Sequence, residues 1–332
     1  LSPLVGNAIL ILTSCLYLSS AWGADTAYAT VFNDEANQSV LEHLKTLSSD
    51  EFSGRKFSSK TIIHSQSYLV ATLEELGVSA FKNNYRHSFQ QSGLFQNKQG
   101  TNIIGYVPGT LYRDRYIVLS AHYDHLGIKR NKIYNGADDN ASGTAALLHY
   151  AKLLKQAPLK HSIILLFTDG EEVNLLGAKA FINDQESLLT NFKLNINLDM
   201  IAGSKRTKRL RFISKNMDKI LPSHNLAQFI NFQSYLKENS NVNLTAGFKR
   251  SRGVGSSINR TNWLMASDHG VFNKAGIPFI YFGVGVHKNY HSERDDYANI
   301  NHDFYLSAVD VIFQQLSFLD GVISDNTSQY SH

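Results

Sequence analysis

Short, largely apolar runs recur along the chain at Tyr116 to Leu119, Ile163 to Phe167, Leu194 to Leu198 and Ile277 to Phe282. Runs of four to six such residues without strict alternation read as strands buried on both faces, the kind found in an α/β sheet covered by helices. Stretches of helical spacing stand between and around them. Ala29 to Leu47 reads as a helical lead-in, and His64 to Leu76 as a helix closed by Gly77. From Ser142 to Lys155, Ala145, Leu147, Leu148, Ala151 and Leu154 form one apolar side, with Ser142 placed to cap the start. Another helix is expected through Gly177 to Phe181, with Glu171 and Glu172 at or near its first turn, where exposed amides favour carboxylates. Ser88 to Gln99 reads as a short polar connection. The pattern predicts one globular α/β domain: a twisted central sheet flanked by helices.

Composition narrows this picture. A chain of 332 residues with 43% hydrophobic content can bury a sizeable core. The formal charge of +4 is mild, and its basic runs, Lys205 to Arg211 and Lys249 to Arg252, read as solvated loops; a nucleic-acid partner is not expected. Leu1 to Gly23 carries no charged residue, holds an apolar stretch from Ala8 to Leu18 and ends in small residues, so it reads as a signal peptide cleaved before Ala24. Leu12-Thr13-Ser14-Cys15 offers a lipobox alternative, with lipid attached at Cys15. The apolar stretch is short for a membrane span, and no stable span is expected in the mature form. Either reading places the protein outside the cytoplasm, periplasmic or secreted. Cys15 is the single cysteine, so stability there would come without disulfides.

Chemistry enters at the ends of the apolar runs. His122, Glu172 and Asp199 each follow one, and open α/β sheets bind ligands beyond the carboxyl ends of their strands. With Asp138 and His291 they make two imidazoles and three carboxylates, a donor set that Zn²⁺ accepts, and one shared carboxylate would let it hold two ions. Glu171, adjacent to Glu172, must point elsewhere and is left over as a base. Taken singly, each residue is more ordinary as a solvated or hydrogen-bonded side chain.

The ordered motifs Ala121-His122-Tyr123-Asp124-His125-Leu126-Gly127, Asn135-Gly136-Ala137-Asp138-Asp139-Asn140-Ala141-Ser142-Gly143, Asp169-Gly170-Glu171-Glu172, Asn197-Leu198-Asp199-Met200 and Tyr290-His291-Ser292 resemble metallopeptidase family 28, whose members include the bacterial leucyl aminopeptidases with two co-catalytic zincs. The likeness extends upstream to Leu47 through Arg55 and to Asn102 through Gly109, and weakens over Gly203 to Arg260. Residues 24–332 would form one catalytic domain, with about 203–260 partly ordinary strand and helix and partly a rim over the active-site face. There is no room for the protease-associated domain that some relatives insert.

The resemblance implies a zinc exopeptidase fold and two Zn²⁺ per chain. One ion would be held by His122 and Asp199 and the other by Glu172 and His291, with Asp138 bridging and Glu171 as general base. Behind the ligands, Asp124 would orient His122, Asp295 would orient His291, and Asp139 would be turned away from the metals, next to a cis peptide between Asp138 and Asp139. His125 and His149 stand outside this ligand set. Met200, Asp268 and Tyr281 are candidates for substrate contact. Leu264 occupies the position where leucyl-type relatives carry a tyrosine that assists the oxyanion, so that help is absent or comes from another residue. The implied substrate is a peptide with a free N-terminus. Glutaminyl cyclisation and carboxypeptidase action, the latter with Arg250, Arg252 or Arg260 as a carboxylate clamp, are alternatives on the same scaffold. A non-catalytic binding domain is a third, disfavoured by the complete ligand set.

Overall fold

A mixed sheet with helices on both faces organises the computed structural model, which describes residues 34–92, 97–248 and 261–324. The signal-peptide and lipobox readings, and Arg250, Arg252 and Arg260, lie outside the described residues. The strands are β1 (Ser79–Ala80), β2 (Arg86–Gln91), β3 (Lys98–Val107), β4 (Tyr112–His122), β5 (Gly127–Lys129), β6 (Lys132–Tyr134), β7 (His161–Thr168), β8 (Phe192–Leu198), β9 (Arg209–Lys215), β10 (Asn243–Ala246) and β11 (Phe279–Gly283). The helices are α1 (Asp34–Leu47), α2 (Ile62–Glu75), α3 (Gly143–Gln156), α4 (Leu176–Asp184), α5 (Ser223–Asn239), α6 (His269–Lys274) and α7 (His302–Val322).

Nine strands form one mixed sheet in the order β1-β3-β7-β4-β8-β11-β9-β10, with β2 also paired to β3. At its centre β7, β4, β8 and β11 run parallel, so their carboxyl ends share one edge. Antiparallel β3 and β9 flank this group. Alternate residues of the central strands serve opposite faces. Ile117, Leu119, Ile163, Leu165, Ile196 and Ile280 pack in the core with residues of α1, α2, α3, α5 and α7. Val118, Ile164 and Leu166 pack with Ala178 and Phe181 of α4 and Val271 and Phe272 of α6. Burial on both faces explains why the sequence runs do not alternate. No helix among the described residues is long and apolar enough to cross a membrane.

Several local expectations change. The polar stretch from Ser88 begins within β2, which pairs antiparallel with β3 because Arg86 through Gln91 can present an amphipathic edge. Residues 209–246 supply β9, α5 and β10 as an extension of the sheet, whereas residues 249–260 of the proposed rim lie outside the described residues. Ser142 precedes α3 without capping it through its side chain; its hydroxyl donates to the Asp138 carbonyl (2.7 Å). Glu171 and Glu172 sit in a separate 3₁₀ turn, Glu171–Val173, and α4 starts only at Leu176.

Arg55 locks the upstream motif to the site-bearing loops. Buried to 1% exposure, it donates from Nε to the Tyr123 carbonyl (2.8 Å), from Nη1 to those of Leu47 and Asn135 (2.6 Å each) and from Nη2 to that of Gly136 (2.8 Å). These bonds join the end of β4 to the loop that carries Asp139. Arg55→Met, similar in length but unable to donate, strands four acceptors and is expected to lower unfolding free energy by at least ~3 kcal/mol, since each buried unpaired polar group costs ~1–3 kcal/mol. Urea denaturation of the metal-loaded protein checks this; an unchanged midpoint would remove Arg55 from the framework.

Candidate metal centre

The carboxyl edge of the parallel strands gathers the side chains. His122 ends β4, Glu171 and Glu172 follow β7, Asp199 follows β8, and His291 lies in the segment after β11. The loop after β6 brings Asp139 in among them. Its Oδ1 is 3.4 Å from His122 Nε2, and its Oδ2 is 3.1 Å from His291 Nε2. Asp199 Oδ1 stands 3.4 Å from the same His122 nitrogen, and Glu172 Oε2 is 3.2 Å from His291 Nε2. Two groups result: His122, Glu171 and Asp199, whose donor atoms lie within 4.8 Å of one another, and His125, Asp139 and Glu172, equally close.

Asp139, not Asp138, therefore reaches both groups, correcting the expected bridge. Asp138 is fully buried and its carboxylate is already engaged. Oδ1 accepts from the backbone N–H groups of Ala202 and Gly203 (2.7 Å each), and Oδ2 lies 2.7 Å from His287 Nε2. An oxygen committed to two amides has little left for a cation. The cis peptide lies one residue later than expected, between Asp139 and Asn140. Asn140 ties this turn to the end of β8, donating from Nδ2 to the Leu198 carbonyl (2.8 Å) and accepting at Oδ1 from Gly143 (2.9 Å) and Met200 (3.2 Å).

The supporting carboxylates also act differently from the expectation. His122 Nδ1 is nearer the backbone carbonyl of Asp124 (3.1 Å) than its carboxylate (3.6 Å), which is beyond hydrogen-bond range. Asp124 Oδ1 instead accepts from the backbone N–H of Glu171 (3.0 Å), positioning the proposed base through the main chain. Asp295 does not orient His291: its two oxygens accept from the backbone N–H groups of Asp138 (2.9 Å) and Asp139 (3.0 Å). Together with Arg55, it holds the Asp139 loop by its backbone and leaves the Asp139 side chain free to face the site.

Two residues were missed by sequence reasoning. His287 partners Asp138, and nothing in its local sequence indicates that contact. His125, read as outside the ligand set, has Nδ1 2.9 Å from Glu172 Oε1 and 3.7 Å from Asp139 Oδ2. The available signal was its three-residue spacing from His122.

The donor chemistry fits metal ions. His122 Nε2, His125 Nδ1, Glu172 Oε1, Asp199 Oδ1 and His291 Nε2 are buried and lack hydrogen-bond partners among the described residues, although each has an opposite-polarity neighbour within 3.4 Å. Buried polar atoms are ordinarily paired, so lone pairs converging in this way suit a shared cation. Burial, reinforced by the carboxylates of Asp199, Asp268 and Glu172 and opposed by His122, raises Glu171 well above the usual carboxyl range. A base with elevated affinity for protons is thereby placed beside the metal donors.

Of the expected substrate contacts, Met200 has a buried side chain and a positive φ of 60°, and its amide is held by Asn140. Asp268 is buried; Oδ2 accepts a hydrogen bond from Thr168 Oγ1, Oδ1 has no partner, and burial pushes its pKa up to about 7. Tyr281 lies between the rings of His269 (4.4 Å between centroids, 11° between planes) and Phe248 (5.1 Å, 15°). Its hydroxyl would stand 3.0 Å from a Cβ placed on Gly283, so the ring extends along β11 toward the metal-bearing edge. Burial and then the nearby Asp199 and Glu171 carboxylates raise the phenol pKa well above its ordinary value. Leu264 is partly exposed in the 3₁₀ turn Trp263–Met265 and brings no hydroxyl to the site.

Fold and site together define an α/β protein with paired carboxylate–imidazole groups at the carboxyl edge of a mixed sheet. The chain belongs to peptidase family M28, whose family model matches residues 102–315. Aminopeptidase YwaD of Bacillus subtilis (strain 168) is 28% identical over 231 residues, covering 66% of this chain and 44% of the relative. A probable zinc metalloprotease of Pyrenophora tritici-repentis is 33% identical over 108 residues, covering 32% of this chain and 25% of the relative. The chain thus spans less than half the length of these curated relatives. Among solved structures, BSAP, a zinc aminopeptidase from Bacillus subtilis, superposes with a TM-score of 0.65 at 15% identity, covering 88% of this chain and 96% of the other; this likeness shows the fold.

Proposed function

We propose that this protein is an exported, zinc-dependent aminopeptidase that removes N-terminal residues from peptides. The observation that carries the reading is Asp139, with one oxygen toward His122 and the other toward His291, joining two donor groups beside Glu171. His122 and Asp199 would hold one zinc and Glu172 and His291 the other, with Asp139 shared. The family membership and the aminopeptidase among the relatives support the peptidase reading. Residues 1–23 would direct export.

When bound, zinc at this centre would supply Lewis acidity that lowers the pKa of water and polarises the scissile carbonyl. The Glu171 carboxylate takes a proton from the attacking water and returns it to the leaving amine nitrogen. Asp124 keeps Glu171 in place through the backbone amide. The Tyr281 hydroxyl, on a ring stacked against those of His269 and Phe248, would be the group available to donate to the substrate's carbonyl oxygen as charge develops.

A panel of aminoacyl anilides, assayed with metal content measured on the same sample, tests the proposal. The expected result is about two zinc ions per chain and anilide hydrolysis that is lost on chelation and regained with zinc. Cyclisation of N-terminal glutamine without anilide hydrolysis, or release of C-terminal residues, would replace the aminopeptidase reading.

A further inference from the structure

The two donor groups are unequal. Around His122 stand Asp199 and Asp139, with Glu171 reserved as base. Around His291 stand Glu172 and Asp139, and the same two carboxylates face a second imidazole, that of His125. His125 is 1% exposed, and neither of its ring nitrogens has a hydrogen-bond partner among the described residues. Its Nδ1 approaches Glu172 Oε1 to 2.9 Å, yet both atoms remain without an aligned hydrogen bond. Two buried polar atoms this close, yet not aligned on one another, suit a common third partner.

The ring has little freedom to turn elsewhere. The bare Cα of Gly136 lies against it, and a Cβ there would come within 2.6 Å of Cγ and Cδ2. The His125 amide is held by the Arg55 carbonyl (3.0 Å), the same residue whose guanidinium fixes Asn135 and Gly136. One buried arginine thus aligns the imidazole and the loop that carries Asp139.

We propose that His125 is a metal ligand which closes one of the two sites: His125, Asp139, Glu172 and His291 give one ion four protein donors, while His122, Asp139 and Asp199 give the other three and leave it a position for water and substrate. A closed tetrahedral set of protein donors is the pattern of a structural zinc, and three donors with an open position that of a catalytic one. This rests on the two-metal reading above and divides the labour within it. The ion beside His125 binds first and holds the Asp139 loop, and the ion beside Glu171 exchanges.

The test uses the full chain, stripped of metal and titrated with Co²⁺. In the wild-type protein, two distinct binding steps are expected, the first giving the intense visible bands of four-coordinate cobalt. X-ray absorption of the singly loaded protein should count two imidazoles. His125→Asn should weaken the first step at least ~10-fold, the lower range for disturbing even a supporting contact of a metal ligand, and leave the second little changed. One imidazole at the first ion, or an unchanged first step in a folded variant, would overturn the proposal and leave His125 a neighbour of Glu172. Should His125→Asn fail to fold, His125→Gln and the wild-type imidazole count still decide. Total capacity separates the two levels of inference. Failure to bind two ions at all sinks the two-metal reading, whereas two ions with equal steps and one imidazole each sink only the assignment of His125.

Discussion

Asp139→Ala is expected to empty both metal sites, taking metal content from about two ions per chain to near zero and turnover down by at least ~10³-fold. Its oxygens face opposite imidazoles, at 3.4 Å from His122 and 3.1 Å from His291, so one truncation removes a donor from each group. Groups that act as a unit lose nearly everything when one fails, and here the ions supply the charge stabilisation of the reaction. Asp138→Asn is the matched control. An asparagine oxygen can still accept from Ala202 and Gly203, so metal content should stay near two, while the lost charge opposite His287 weakens the fold. Metal analysis of the two variants decides the matter. Full loading of Asp139→Ala together with empty sites in Asp138→Asn would restore the bridge to Asp138.

Glu171→Ala should separate metal binding from chemistry. The residue is assigned no metal, so about two ions should remain, with turnover reduced at least ~10²-fold, the lower end of general acid–base catalysis. Its backbone is already fixed by Asp124 Oδ1 at 3.0 Å, so loss of the side chain should leave the 3₁₀ turn in place. Glu172→Gln, one residue away, should instead lose one ion, because both Glu172 oxygens face imidazole nitrogens. Near-normal turnover in metal-replete Glu171→Ala would remove it as the base. Loss of metal from that variant would make it a ligand.

The strand ends were legible because the signal is local. Apolar runs ending in His122, before Glu171 and Glu172, and before Asp199 identify buried parallel strands from burial alone, and parallel strands necessarily deliver their carboxyl ends to one edge. The resemblance could carry His122, Asp199 and His291 onto this chain because no adjacent residue of the same donor type competes for those positions; for the neighbouring glutamates it is the resemblance alone that gives Glu172 to a metal and Glu171 to the base. The helix at Gly143–Gln156 shows its apolar spacing in the sequence, whereas His302–Val322 is defined by packing, with Phe304, Tyr305, Ala308, Ile312 and Leu316 among its buried residues.

What the chain did not disclose by itself was which of two adjacent aspartates faces the metals. Asp138 and Asp139 are chemically identical, and local pattern treats them alike. The choice is made by groups distant in sequence: the amides of Ala202 and Gly203 and the ring of His287 consume Asp138, while Asp295 grips the loop by its backbone and turns Asp139 inward. The same holds for His125, whose direction is set by Arg55 and Gly136, and for Asp124 and Asp295, whose oxygens find backbone amides instead of imidazoles. Sequence determined which chemistry the edge of the sheet can hold, because donor type and strand burial are properties of the residues themselves. Tertiary structure decided which oxygen and which nitrogen are free to perform it, because hydrogen bonds from remote segments leave only some of them unpaired.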